Sequence, residues 1–302
     1  MSQLIQLQKE LFEAKLNLPT EIENIKVIVQ SGRKEDEQAI REALQRTYEI
    51  VRNYLQRYGL KYVLPREVRV SGELDGPSQM LYTSKGVFEL PFLPQALGAY
   101  TEHRGDDQDV LYLHRAYLEG GTDVQRYTEA YEKASRLCKE ISENPSESYR
   151  TRVDAAKLYQ SYRRVLASIK DTKTEEILTH ELGHSILVAL GIFSPLDQIL
   201  REQEGDPTAQ AHVVTEEGLD TLFTEQILGR EVVKEDHPYY KPKKFVRGIL
   251  LENYGTEDVG KLVSDAYNMG VNACKSFGRE LRKKTREKLF ERVQEQAYGA
   301  YP

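Results

Sequence analysis

The sequence predicts an α+β fold that is mainly α-helical, with a small antiparallel sheet ahead of a helical region. Three observations carry this. Apolar residues recur at helical spacing over long windows, the only alternating β-rich runs fall between residues 67 and 114, and after Gly120-Gly121 nearly every window keeps a helical period.

The first helix is expected over residues 36–58, where Ile40, Leu44, Tyr48, Val51 and Leu55 share one face and Gly59 is placed to end it. Strand-like runs follow at residues 67–71, at 81–83 and 87–90 around the turn Ser84-Lys-Gly86, and at 109–114. Together they predict an antiparallel sheet of three or four strands. Val124, Tyr127, Tyr131, Ala134, Leu137 and Ile141 mark the next helix, Asn144-Pro145 breaks it, and Tyr149, Val153, Leu158, Tyr162, Val165 and Ile169 mark another. Thr172-Lys-Thr-Glu175 has the form of a capping box for a helix ending near Gly191. A short helix is expected at 196–203. Gly205-Asp-Pro207 then turns the chain into a helix over 209–228 stopped by Gly229, and two more helices fill 257–296. Residues 1–120 hold the first helix and the sheet, and 121–302 the helical remainder, read as one continuous domain.

Composition narrows the function. A chain of 302 residues, 39% hydrophobic and 30% charged, reads as soluble and globular. Its net charge of -6 leaves no basic excess to neutralise phosphates, so no nucleic-acid partner is expected. Residues 1–10 lack a basic flank followed by an apolar stretch, and no window approaches a membrane span, so neither a signal peptide nor a membrane partner is expected. Cys138 and Cys274 stand far apart in helix-like segments, which fits reduced thiols and a cytoplasmic location.

The chemistry concentrates in His180-Glu-Leu-Gly-His184. Histidines four residues apart on a helix face the same way, one turn apart, and can bind one metal ion together. Zinc held there lowers the pKa of a coordinated water toward about 7, and a neighbouring carboxylate, Glu181, can take its proton as it attacks a carbonyl. A chance match should occur roughly once in a hundred chains of this length. The bland alternative is two histidines packing a buried helix.

A catalytic zinc needs a third protein ligand and an open position. The metzincin extension fails, because Leu187 and Leu190 stand where it needs glycine and histidine. A later helix offers Glu216 or Glu217 in Thr215-Glu-Glu-Gly-Leu-Asp220. Paired histidines followed by a helix carrying Glu-Gly resemble the gluzincin clan of metallopeptidases, and that resemblance implies Glu217, just before Gly218, as third ligand. Residues 174–229 also resemble the microtubule-associated tyrosine carboxypeptidase family around its Gln-Glu-Gly-Leu-Ala segment. That family carries one more residue between its histidines and a later glycine-rich segment not found here, so its substrate is not carried over. Asp258 is a remote third-ligand candidate and reads more simply as part of a helix N-terminus with Thr256 as cap. His212 reads as a surface residue.

Asp220, and then Glu225, are candidates to hold the second nitrogen of a ligand histidine. A donor for a developing oxyanion is sought in His237-Pro-Tyr-Tyr240, with Tyr240 and His237 ahead of Tyr239, and Arg247 just beyond. The clan resemblance also implies an extended substrate pairing with an edge strand, for which residues 109–117 are the candidate. Gly120-Gly121 after it permits close backbone approach. The basic run of residues 279–288 is interleaved with Glu280 and Glu287 and reads as a solvated face. The expectation is a zinc metallopeptidase acting on a peptide or protein substrate through Glu181. Its rivals are a silent zinc-holding scaffold and a zinc hydrolase of another amide or ester.

Overall fold

The computed structural model describes residues 25–29, 34–60, 65, 67–71, 79–91, 99–102, 110–118, 124–171, 173–193, 207–235 and 237–299. In chain order the elements are β1 (Lys26–Val29), α1 (Lys34–Arg57), β2 (Glu67–Ser71), β3 (Gln79–Thr83), β4 (Gly86–Leu90), β5 (Ala99–Glu102) and β6 (Val110–His114). A 3-10 turn (Arg115–Tyr117) leads on to α2 (Val124–Glu143), α3 (Tyr149–Asp171), α4 (Thr174–Ala189), α5 (Pro207–Leu228), α6 (Tyr240–Tyr254), α7 (Val259–Met269) and α8 (Val271–Gly299). The fold is α+β and mainly helical, as expected.

The strands form two sheets. β3 and β4 make the expected antiparallel hairpin around Ser84 and Lys85, with Thr83 opposite Gly86. The other strands form a mixed sheet in the order β1-β2-β6-β5, in which β1, β2 and β6 run parallel and only the edge strand β5 runs antiparallel. The expected single antiparallel sheet is therefore corrected to a hairpin and a mixed sheet, in which residues 67–71 and 110–114 pair in parallel, Glu67 opposite Val110 and Ser71 opposite His114. The long chain between the two strands makes a crossover possible, and the nearly continuous burial of β6 is what a parallel strand covered on both faces requires. The strand at 109–117 is also corrected from edge to interior, because β6 lies between β2 and β5.

Two buried clusters organise the packing. The larger takes Ile40, Leu44, Val51 and Leu55 from α1, Val68, Val70, Leu111 and Leu113 from the sheet, and Leu178, Leu182, Phe223, Val246, Val263 and Leu281 from the later helices. It thus draws on both sides of residue 120. The smaller joins Leu81 and Leu90 of the hairpin to Tyr131, Cys138, Tyr162 and Val165 of α2 and α3. Tyr127 and Ile169 pack against both.

The motif helix α4 is buried on nearly every side, from Thr174 and Ile177 through Leu182 to Leu187, so it runs through the core rather than over it. Its start is tied to the end of β6: Thr174 Oγ1 donates to Tyr117 O at 2.8 Å, and Ala116 N donates to His114 Nδ1 at 3.1 Å. The capping register is one residue later than expected, since Lys173 N donates to Glu176 Oε2 at 3.0 Å. The helix expected at 196–203 lies outside the described residues. Helix α6, not expected from the sequence, tolerates Pro242 because that residue sits in its first turn, where an N–H has no helical partner to lose.

Candidate metal centre

Helices α4 and α5 pack side by side, and their facing surfaces bring five polar side chains together, two from α4 and three from α5. His180 Nε2 lies 3.3 Å from Glu217 Oε2, and His184 Nε2 lies 3.5 Å from the same oxygen. Ligand atoms of these three residues all fall within 4.8 Å of one another. Both histidine nitrogens thus stand close enough to one carboxylate oxygen for a single metal ion to meet all three residues. His184 and Glu217 are buried and His180 is half-buried, and the three form a group that can hold a metal ion.

Behind the triangle stand two more carboxylates. Asp220 Oδ2 lies 2.6 Å from His180 Nδ1, the nitrogen turned away from Glu217, and so occupies the place of a residue that orients a ligand imidazole. The same oxygen is 3.5 Å from His184 Nε2. Glu216 Oε1 lies 3.5 Å from His184 Nδ1, on the far side of that ring from Glu217. The two neighbouring glutamates therefore meet different nitrogens of the same histidine.

Two glycines make this packing possible. A Cβ at Gly183 would fall against Asp220 Oδ1, with Cγ only 3.1 Å away. A Cβ at Gly218 would come within 2.5 Å of Pro242 O and 2.6 Å of Val246 Cγ2, so Gly218 lets α6 close against α5. A glycine inside a helix is otherwise unfavourable, and this was the available signal that Gly183 has a packing role.

Electrostatics follow from crowding acids and imidazoles in a dry place. Burial disfavours a charged His180, but Asp220 and Glu217 outweigh it and raise its pKa to about 10. Burial opposes a charged His184 as well, and Asp220 and Glu217 again hold its pKa well above the usual value. Glu181 is buried, and that burial raises its pKa; His184 and His180 act against the rise, while Glu217 and Asp220 add to it.

The segment between α5 and α6 walls one side of the centre. The Tyr239 ring stacks on His180 with centroids 5.3 Å apart and planes 22° from parallel, and His237 meets Tyr239 edge-on at 5.3 Å. Tyr240 is placed against the Lys243 ammonium, 5.1 Å from its ring centroid, so the tyrosine at the centre is Tyr239. Arg230 at the start of this segment pairs with Glu176 and, at 3.6 Å, with Glu175 on the motif helix. Neither arginine clamp nor stacking was visible in the sequence, since a lone Arg after Gly229 and one Tyr among 19 carry no periodic signal.

The remaining candidates have other duties. Glu225 accepts from Val232 N at 2.9 Å and Val233 N at 3.2 Å and pairs with Lys243 at 3.0 Å, so it braces the segment instead of a histidine. Asp258 accepts from Lys261 N at 2.9 Å and from Tyr58 Oη at 3.0 Å, which makes it, and not Thr256, the cap of α7. Arg247 pairs with Glu257. His212 is half-buried on α5, outside the metal-capable group. In the basic run of α8, Lys284 pairs with Glu280 at 4.0 Å and Glu287 at 3.7 Å, as a solvated face would. Among the described residues, no helix is long and apolar enough to cross a membrane.

Comparison with known proteins returned no match, whether to family models, to curated proteins or to solved structures.

Proposed function

We propose that this chain is a zinc metallopeptidase, with His180, His184 and Glu217 as ligands and Glu181 as general base. The observation that carries the reading is the pair of imidazole nitrogens at 3.3 and 3.5 Å from one carboxylate oxygen, with the buried Glu181 next to His180 on the motif helix. That donor set, two nitrogens and one oxygen, is one that zinc favours and that leaves a fourth position for the reacting groups. The metal would polarise the scissile carbonyl and acidify water at that position.

The chain's own residues do the rest. Asp220 holds the His180 ring so that Nε2 faces Glu217. Glu181 takes the proton of the attacking water and hands it to the leaving amine. Tyr239, stacked on His180, supplies a wall against which substrate is positioned, and its hydroxyl is the proposed donor to the carbonyl oxygen in place of Tyr240 or His237. Among the described residues β5 is an edge strand packed against the motif helix, and it would offer an extended peptide a main-chain partner there, the role first sought in residues 109–117.

The test is a peptide-library digestion with wild-type protein and Glu181→Gln. Glu181→Gln is expected to retain its metal and lose turnover by about 10²–10⁴-fold. Equal cleavage by both proteins removes Glu181 from the mechanism.

A further inference from the structure

We infer that the groove between β3 and α3 is a docking site for an extended, acidic peptide segment of another protein, which adds as a third strand to the β3–β4 hairpin. This does not rest on the metal centre, none of whose residues lines the groove. The cavity, of about 520 Å3, is lined on one side by Gln79, Met80, Leu81 and Tyr82 and on the other by residues of α3 including Arg150, Asp154, Lys157 and Leu158. Four consecutive strand residues line it and none from β4, so it runs along the edge of β3 that faces away from β4.

That edge offers unused main-chain groups. Among the described residues β3 pairs with β4 alone. The two-residue turn makes Thr83 and Gly86 the closing hydrogen-bonded pair, and the ladder alternates from there. Met80 and Tyr82 therefore turn their N–H and C=O toward the groove. Their side chains are also exposed, Met80 by 50% and Tyr82 by 68%, and Val87 opposite Tyr82 by 52%. A two-stranded hairpin with an open edge, whose outer face carries Met80, Tyr82 and Val87 beside the single acid Glu89, is a template for strand addition.

The hairpin is held ready for this. Ser84 at its turn donates from N and Oγ to Glu147 at 2.8 and 2.7 Å, Tyr162 Oη donates to Pro91 O just after β4, and Leu81 and Leu90 are buried. Charge selects the partner. Arg150 and Lys157 stand two helical turns apart on the groove wall with Asp154 between them, 4.0 Å from Arg150, which leaves one net positive charge to meet acidic side chains.

The test uses the full chain and the fluorescein-labelled heptapeptide Val-Glu-Val-Thr-Val-Glu-Val, with lysine in place of both glutamates as the control. Anisotropy titration is expected to show the acidic peptide bound at least tenfold more tightly than the basic one. Arg150→Glu with Lys157→Glu is expected to erase that preference. Met80→Pro removes one outward N–H at a position where an edge strand tolerates proline, and is expected to weaken binding at least tenfold where Met80→Ala weakens it less, with circular dichroism verifying that both variants fold. The inference is overturned if the acidic peptide does not bind, or if Met80→Pro binds it as wild type does. It is equally overturned if sedimentation shows a dimer that Met80→Pro dissociates, because a second copy of the chain then occupies the edge.

Discussion

A methyl group added at Gly183 would sit against Asp220 Oδ1, the carboxylate whose other oxygen reaches His180 Nδ1 at 2.6 Å. Gly183→Ala therefore pushes α4 from α5 or turns Asp220 away from its histidine. Overpacking of this kind costs about 1–3 kcal/mol, and loss of an orienting carboxylate about 10–100-fold in metal affinity. Denaturant melts of the metal-free variant read the first effect and metal titration reads the second. A variant as stable and as tight as wild type would mean that the carboxylate is not locked between the helices. That His180 and His184 stand together was legible in the sequence because it depends on local helical spacing alone. The choice of Glu217 over Glu216 was legible only through a family resemblance. Two adjacent residues on a helix point about 100° apart, and which one faces the Nε2 atoms of both histidines depends on how α5 is rotated against α4.

Elements were legible where they obey their own period. The helices α1 to α3 show apolar stripes, α4 and α5 are bounded by capping and turn signals, and the hairpin shows alternation around a turn. Strands β1 and β5 have four residues each, too few for a period to register, and their place is decided by partners distant in sequence. Parallel pairing was misread because alternation in Glu67–Ser71 looks the same in either direction, whereas the burial of both faces of β6 depends on helices that come later. The segment joining α5 to α6 is braced by one buried cation. Lys243 Nζ meets Glu225 at 3.0 Å, Glu231 at 2.9 Å and Val233 O at 3.3 Å. Lys243→Met leaves Glu225 without its counter-charge and is expected to cost about 3 kcal/mol in a denaturant melt. It should also raise amide exchange over residues 231–239, which carry Tyr239 to His180. Unchanged exchange there would show that the segment is held by other contacts.

For the whole molecule, protons and metal compete. In the metal-free protein His180 and His184 have raised pKa values, about 10 for His180, because Asp220 and Glu217 outweigh the burial that opposes their charge. A group with a raised folded pKa adds stability that is complete below its unfolded value, near 6.5, and is lost as pH rises through the folded value. Metal-free stability attributable to the centre should thus decline between about pH 6.5 and 10. Metal binding needs neutral imidazoles, so it releases protons over the same window and tightens as pH rises. Calorimetry at pH 7 in two buffers of different ionisation enthalpy is expected to report net proton release on zinc uptake, since the raised His180 pKa leaves that imidazole protonated before the metal arrives. Zinc uptake with no proton release would place the metal elsewhere.

The most direct measurement of the central claim is zinc content by mass spectrometry on wild-type protein, Glu217→Ala and Glu216→Ala after incubation with zinc and removal of the excess. The account predicts about one zinc per wild-type chain, as a single three-ligand centre requires. It predicts loss of most of that zinc in Glu217→Ala and retention in Glu216→Ala. Wild-type protein that holds no zinc, or that keeps it after Glu217→Ala, would contradict the metal centre as drawn.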